Sequence, residues 1–266
     1  MVRHVLAAAA VILAPTLAAA GSAVAEDDAR PLMERVDSKN RAKDERALVS
    51  VLVLSARGER RTRELETLFK AGEGRADKLL VRFLAPADVK GTGLLTLEQD
   101  DGDDEQYLFV PELRKSTRIA GATRAQSFAG TDFTHGDLRT EDLKKHRYRL
   151  EGEATEAGRA CHVIAAVPKD DAVTRETGYE KRTLYVDKDE DRLVVLRVDY
   201  YDAGGKLLKV QTNAKIERVG GYWRPGETVM ENKQTGSKTT LVYDRGRELD
   251  QGIADGKFTK RELEKP

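Results

Sequence analysis

Cys161 is the only thiol in this sequence, so an intramolecular disulfide is excluded, although an exported chain would be permitted one. Within Ala160-Cys161-His162-Val163-Ile164-Ala165 it reads as a small buried hydrophobe. The histidines are four, His4, His135, His146 and His162, and no His-Glu-x-x-His spacing joins any two into a zinc site. Ser127, Asp132 and His135 carry the letters of a nucleophilic triad but lack a Gly-x-Ser-x-Gly elbow. Asp187-x-Asp189-x-Asp191 begins like a calcium loop, yet Arg192 stands where glycine is needed and Val198 where the bidentate glutamate is needed. No enzyme activity, cofactor or metal is expected. Charge of one sign is lacking too. Basic and acidic residues number 46 each, which leaves no electrostatic case for nucleic acid or for an anionic membrane surface. The one long apolar run, Val5 to Ala20, is too short and too alanine-rich for a confident membrane span. With Ala23-Val24-Ala25 ahead of Glu26 it reads as a secretory signal peptide cleaved after Ala25.

What the chain has is alternation. Leu32, Met33 and Val36 give one amphipathic helix over residues 29–39, with Asp27 or Asp28 as its cap. From Arg46 the period becomes two. Runs at Ala47–Leu54, Thr62–Lys70, Lys78–Leu84 and Leu94–Glu98 are separated by turns rich in Gly and Asp. On Thr62–Lys70, Leu65, Thr67 and Phe69 share one face. After residue 145 the pattern resumes at Tyr148–Glu153, Ala160–Val167, Thr183–Asp187 and Arg192–Tyr201, where Val194, Leu196, Val198 and Tyr200 share a face. In the following run Leu208, Val210, Thr212, Ala214 and Ile216 oppose Lys209, Gln211, Asn213 and Lys215. Strands Tyr222–Asn232 and Lys238–Tyr243 follow, and Phe258 to Leu263 closes the chain as a helix or tail. Connections this short make an antiparallel meander. The expected fold is mainly β: one curved sheet with a polar outside, curled into a barrel or half-barrel because a sheet so long cannot stay flat. Helix 29–39 and the loop–helix segment at 127–144 are its available covers. An apolar concave face with a removable cover suits an apolar ligand.

The stretch between the two meanders carries a family pattern. It reads Tyr107-Leu108-x-x-Pro111, Leu113-Arg114-Lys115-x-x-Arg118-Ile119, then Ser127-Phe128-x-Gly130-Thr131-Asp132-Phe133-Thr134-x-x-Asp137-Leu138. Together with the closing Phe258-Thr259-x-x-x-Leu263, it resembles the LolA-like outer-membrane lipoprotein-sorting family, in its branch of stand-alone periplasmic proteins. Position 135 holds His where that pattern has an aromatic residue. The resemblance implies an unclosed barrel with a helical lid, occupying residues 26–266 as a single lipid-binding domain in the periplasm. It implies a carrier that shields acyl chains of a lipid or lipoprotein during transfer towards the outer membrane, acting as a monomer and supplied by an inner-membrane transporter. The alternative is a lipid-sensing regulatory module on the same fold, signalling to a membrane partner.

The segment from Ser127 to Leu143 is the expected lid. Phe128, Phe133 and Leu138 are expected to face the cavity. Asp132 and Asp137 are expected to hold it closed, with Arg114 or Arg118 as partners. The two arginines otherwise meet lipid headgroups or form a solvated strand face. Trp223 is read either as an aromatic at the cavity mouth or as a core residue pinning a sheet corner.

Overall fold

As the periodicity predicts, a helix is followed by a run of hairpins. The computed structural model describes residues 27–74, 76–100 and 102–265, and the expected signal peptide lies outside them. Helix α1 (Arg30–Lys39) is followed by β1 (Asp44–Leu54), β2 (Arg60–Lys70), β3 (Lys78–Ala85), β4 (Gly93–Leu97), β5 (Glu105–Val110) and β6 (Lys115–Ile119). A crossing segment, 120–145, leads to β7 (His146–Glu156), β8 (Arg159–Pro168), α2 (Asp171–Thr177), β9 (Lys181–Asp187) and β10 (Val195–Tyr201). Then come β11 (Leu207–Val219), β12 (Tyr222–Asn232), β13 (Lys238–Val242), β14 (Arg247–Leu249) and α3 (Lys260–Leu263).

All the main strands join one antiparallel sheet in the order β6-β5-β4-β3-β2-β1-β13-β12-β11-β10-β9-β8-β7, with β14 paired to β1 off this path. Two meanders thus meet at a seam between β1 and β13, where Val51 faces Leu241. Strands β6 and β7 are the two ends, and the sheet does not close on itself. Alternation places Val49, Val51, Leu65, Val81, Phe83 and Leu94 together on the concave side of the first meander. Burying each such side chain contributes about 1.5–3 kcal/mol.

Both sheet ends are capped by side chains, which protects edges that would otherwise template aggregation. At β7 the Asp27 carboxylate accepts from the Tyr148 amide at 2.8 Å and Asp28 from the Leu150 amide at 2.9 Å. These aspartates therefore do not cap α1, as expected from sequence; its N-cap is Ala29, with no side-chain bond. At β6, Glu264 accepts from the Ser116 amide and hydroxyl at 3.0 and 2.6 Å.

The expected polar outside needs a correction over the first meander. There Leu68, Leu80, Leu95, Tyr107 and Phe109 form a dry outer layer with Phe258 and Leu263 of the C-terminal tail. The Asp44 carboxylate holds the tail by accepting from the amides of Gln251, Gly252 and Ile253. Gly93 permits the contact, since a Cβ there would stand 2.8 Å from Leu263 Cδ1.

Two faces of the second meander also differ from expectation. A bulge between Val195 and Arg197 shifts the phase of β10, so Val195 joins Val198 and Tyr200 on the concave side. On β11, of the apolar set Leu208 alone packs against the concave core, and it is Lys209, Gln211 and Asn213 that point inward. With Thr228 and Thr239 they form a polar stripe down the middle of the concave face. Helix α2, which the sequence reading omitted, is capped by Asp170 accepting from the Val173 amide at 2.9 Å and ends at Gly178 with φ 80°.

Candidate functional site

The sheet order obliges residues 120–145 to travel from one end of the sheet to the other, and they do so across the concave face. The segment is built of 3-10 turns at Gly121–Ala125, Gly136–Leu138 and Leu143–Lys145. Between them lies a tight hairpin in which the Phe128 amide donates to the Phe133 carbonyl at 2.8 Å. Ala129 and Gly130 turn it with φ of 49° and 69°. Gly130 accepts that conformation freely, whereas Ala129 carries a modest strain there. Phe128 lies against Phe83 with ring centroids 5.5 Å apart, and the His135 ring meets Phe128 edge-on at 5.7 Å. His135 thus fills the aromatic position of the family pattern. Burial pushes its pKa below the ordinary value, against the bonds to the Gln126 and Thr123 carbonyls.

The hairpin and the sheet border a half-open, mainly apolar cavity of about 320 Å³, floored by Val49, Val51, Leu65, Val81 and Phe83 and roofed by Phe128, Phe133 and Leu138, with the Glu45–Arg247 pair at its side. A second cavity, about 270 Å³, lies beneath α1 against β9–β11. It is more polar, with Glu141, His146 and Arg182 beside Met33, Val36 and Tyr200. Asp137, Arg139 and Thr140 line both cavities. A third hollow of about 430 Å³ opens at one end between Val53, Arg61, Ser127, Thr131 and Lys209.

Polar anchorages along its length hold the crossing segment down. Asp132 accepts from Ser237 Oγ at 2.5 Å and from Thr239 Oγ1 at 2.7 Å. Asp137 receives Lys209 Nζ at 2.5 Å and the Tyr179 hydroxyl at 2.8 Å, and Lys209 also donates to the Asp132 carbonyl at 3.1 Å. Burial and the adjacent Asp137 carboxylate raise the Tyr179 pKa well above its usual value. From α2, Glu176 takes Arg124 and Arg139 at 2.5 Å each and Lys145 at 3.1 Å. Burial opposes its ionisation, but these cations prevail and hold its pKa at about 2. Where the segment enters β7, Arg182 pairs with both oxygens of Glu141 at 2.6 and 2.7 Å, and Tyr148 donates to the same carboxylate at 2.7 Å. Burial and the Arg182 charge push His146 down to a pKa of about 4 against the pull of Glu141; burial opposes the ionisation of Glu141, but Arg182 and the Tyr148 hydroxyl prevail and hold its pKa at about 2.

Of the residues singled out from sequence, Phe128, Phe133 and Leu138 meet at the apolar cavity. Asp132 and Asp137 do bind the sheet, but Arg114 and Arg118 are not their partners. Arg114 sits in the turn before β6 with φ 48°. Arg118 is exposed and pairs in register with Tyr107 of the outer layer, because period two sets it opposite the inward Ile119. Trp223 lines none of these three cavities. It stands where α1 ends, its amide donating to Asn40 Oδ1 at 2.9 Å and its indole to Asp191 at 3.2 Å, with Arg192 and Arg218 over the ring. Ser127 Oγ donates to the Thr131 carbonyl and His135 Nδ1 bonds the Gln126 carbonyl, so the triad letters serve the hairpin. Asp187 binds Arg192 at 2.7 Å, and among the described residues no cluster of His, Cys, Asp or Glu suits a metal ion.

Sequence reasoning missed Lys209, Thr239, Tyr179, Glu176 and Arg63. Arg63 comes from the concave side of β2 and donates to the Ala129 carbonyl, with its guanidinium over the Phe83 ring at 5.4 Å. The available signal was chemical: two aspartates in an apolar segment need donors, and Lys209 lies on a strand that buries its neighbours.

Residues 75–265 match the model of a family described as uncharacterized protein. No curated protein matches the chain significantly. A putative outer membrane lipoprotein-sorting protein domain from Vibrio parahaemolyticus is similar at 28% identity and TM-score 0.82, over 89% of this chain and 98% of that one. A protein from Desulfovibrio piger, of a family named for a domain of unknown function, is 28% identical with TM-score 0.81, over 88% and 97%. A LolA superfamily protein from Nitrosomonas europaea shares the fold at 19% identity and TM-score 0.69, over 88% and 98%.

Proposed function

This chain belongs to the LolA-like outer-membrane lipoprotein-sorting family, and from that premise we propose that it is a periplasmic carrier, shielding the acyl chains of a lipid or lipoprotein in the concave face of its sheet. The observation that supports this reading is the apolar cavity of about 320 Å³ under a segment held by polar contacts. Ligand pockets run from about 300 to 1,000 Å³, so the closed cavity admits part of one chain and a whole lipid requires the segment to lift. Residues 127–143 are the lid of this reading. Phe128, Phe133 and Leu138 occupy acyl space when it is empty. Opening exchanges their burial and the bonds of Asp132 and Asp137 for acyl burial at about 0.8 kcal/mol per methylene, so two states stand within a few kcal/mol. The chain acts as one domain, without chemistry, as a monomer that receives cargo from an inner-membrane transporter. Native mass spectrometry of protein purified from its own periplasm tests this: a co-purifying lipid or acylated peptide is expected. Ligand-free protein that also fails to bind a fluorescent fatty-acyl probe would refute it.

A further inference from the structure

The concave face of β1 runs from one compartment into another. Val49 and Val51 floor the apolar cavity, and Val53 and Ser55, next in alternation, line the polar hollow of about 430 Å³. Two residues along a strand advance about 7 Å, so the compartments are successive stretches of one trough. The hairpin of the crossing segment divides in the same way. Phe128 and Phe133 roof the cavity, Ser127, Asp132 and Thr134 line the hollow, and Thr131 lines both. An amphiphile whose tail lies in the cavity therefore has its headgroup at the hollow.

The chemistry of the hollow says which headgroup. Its charges are already met inside the protein. Lys209 is spent on Asp137 and on the Asp132 carbonyl, the Asp132 carboxylate accepts from Ser237 and Thr239, and Arg61 stands 3.7 Å from Glu59. What remains is hydroxyl and amide. Ser55 Oγ accepts from the amides of Arg57 and Glu59 at 3.3 and 3.2 Å, which leaves its hydrogen to donate. Ser127 Oγ donates to the Thr131 carbonyl and keeps its lone pairs. Asn232 Oδ1 accepts from the amides of Gln234 and Thr235 at 3.0 and 2.9 Å, and among the described residues its Nδ2 has no partner. Donors and acceptors side by side match a ligand hydroxyl, which is both. A phosphate or carboxylate only accepts, and it would bring a bare charge to a compensated site. An extended peptide needs a strand edge, and the end strands β6 and β7 contribute nothing to the hollow.

We propose that the hollow is a headgroup subsite for a neutral, polyhydroxylated amphiphile of the glycosylated-lipid class, whose acyl chain occupies the apolar cavity. The inference rests on the carrier reading and names its substrate class.

The test uses three ligands with one dodecyl tail, each below its micelle threshold, competing for a bound fluorescent fatty-acyl probe: the glucoside, the phosphate and the methyl ether. On wild type the glucoside is expected to displace the probe at roughly tenfold lower concentration than either of the others, the yield of one or two net hydrogen bonds. Asn232→Asp keeps an acceptor for the two turn amides but loses the free donor, and Thr235→Val removes a hydroxyl from an exposed turn. Each should cut the glucoside preference several-fold and leave the methyl ether unchanged; if Asn232→Asp weakens the ether too, Thr235→Val decides alone. A glucoside no better than the ether, a phosphate better than the glucoside, or a preference that survives both variants overturns the proposal and leaves the carrier reading standing. An acylated dipeptide amide that outcompetes the glucoside gives the hollow to peptide and overturns it as well. Free glucose should not compete; if it blocks the glucoside and spares the ether, the sugar site is independent of any tail and the proposal falls. Failure of the acyl probe itself to bind overturns both readings.

Discussion

Lys209 of β11 reaches Asp137 of the crossing segment at 2.5 Å, with the two side chains only 3% and 4% exposed. A strand that reads as amphipathic thus turns its lysine inward to meet a carboxylate delivered from 72 residues away. Removing one member of a buried pair leaves the other charge uncompensated, at about 3–5 kcal/mol. Lys209→Ala is expected to lose stability in that range by urea denaturation. Lys209→Met with Asp137→Leu should recover much of it while the lid loses hydrogen-exchange protection. Wild-type stability in Lys209→Ala would show that the pair contributes nothing.

Acid should weaken the lid in two windows. His146 has a folded pKa of about 4, below its ordinary 6.5, so the unfolded chain takes up the proton first and stability falls as pH drops from about 6.5 to 4. Glu176 is held at about 2, below 4.5. Its contribution is complete above about 4.5 and is lost as pH falls towards 2, amounting to about 3 kcal/mol. Glu176→Gln should shrink the lower window, which Glu141 shares, and leave the upper one, while His146→Asn should flatten the upper one. Stability followed by circular dichroism against pH checks this, and an unchanged profile in Glu176→Gln would dismiss the α2 clamp.

Phe133→Ala removes a buried ring from the cavity roof and should cost about 3–5 kcal/mol, loosening residues 127–143 and altering affinity for an acyl probe. Asp132→Ala frees the lid from Thr239 and should act in the same direction. If both variants keep wild-type probe binding and wild-type exchange protection, the segment is a packed structural loop and not a lid.

Much of this architecture was legible in the sequence. The strand runs, the helix 29–39, the inward set Leu65, Thr67 and Phe69, and the cavity position of Phe128, Phe133 and Leu138 follow from period and family pattern. Alternation says which residues share a face but not which face is inside. That is why Lys209, Gln211 and Asn213 read as outward. The inversion becomes sensible only once Asp132 and Asp137 lie above them. A bulge such as that near Val195 leaves no mark on composition. Nor could the tail be seen on the outer layer, because Leu80, Leu95 and Phe109 need only some cover, and sequence does not name it.

That cover is open to test. Leu263 is fully buried in the outer layer, so Leu263→Ala should cost about 2–5 kcal/mol and expose a surface that binds a hydrophobic dye. The same dye response in wild type would mean the tail does not stay docked.

Trp223 provides an internal reporter. Fixed between Asn40, Asp191 and two arginines, it should show the same emission maximum with and without an acyl ligand. A blue shift on loading would place the indole at the bound chain.

The seam between β1 and β13 also bears on how the molecule comes into being. Along the main path every other neighbouring pair is consecutive in sequence and can zip locally, but Ser50 must wait for Val242, as Glu45 waits for Leu249 of β14. Such distant pairings are slow because loop closure precedes any reward, and chains are made from the N-terminus onward. The first meander therefore stands with a raw margin at β1 until β13 arrives. Its mid-chain strap has nowhere to fasten before then, since Lys209, Ser237 and Thr239 belong to the late half. In a nascent chain of this design the concave face is complete only once β13 has been made and has paired with β1.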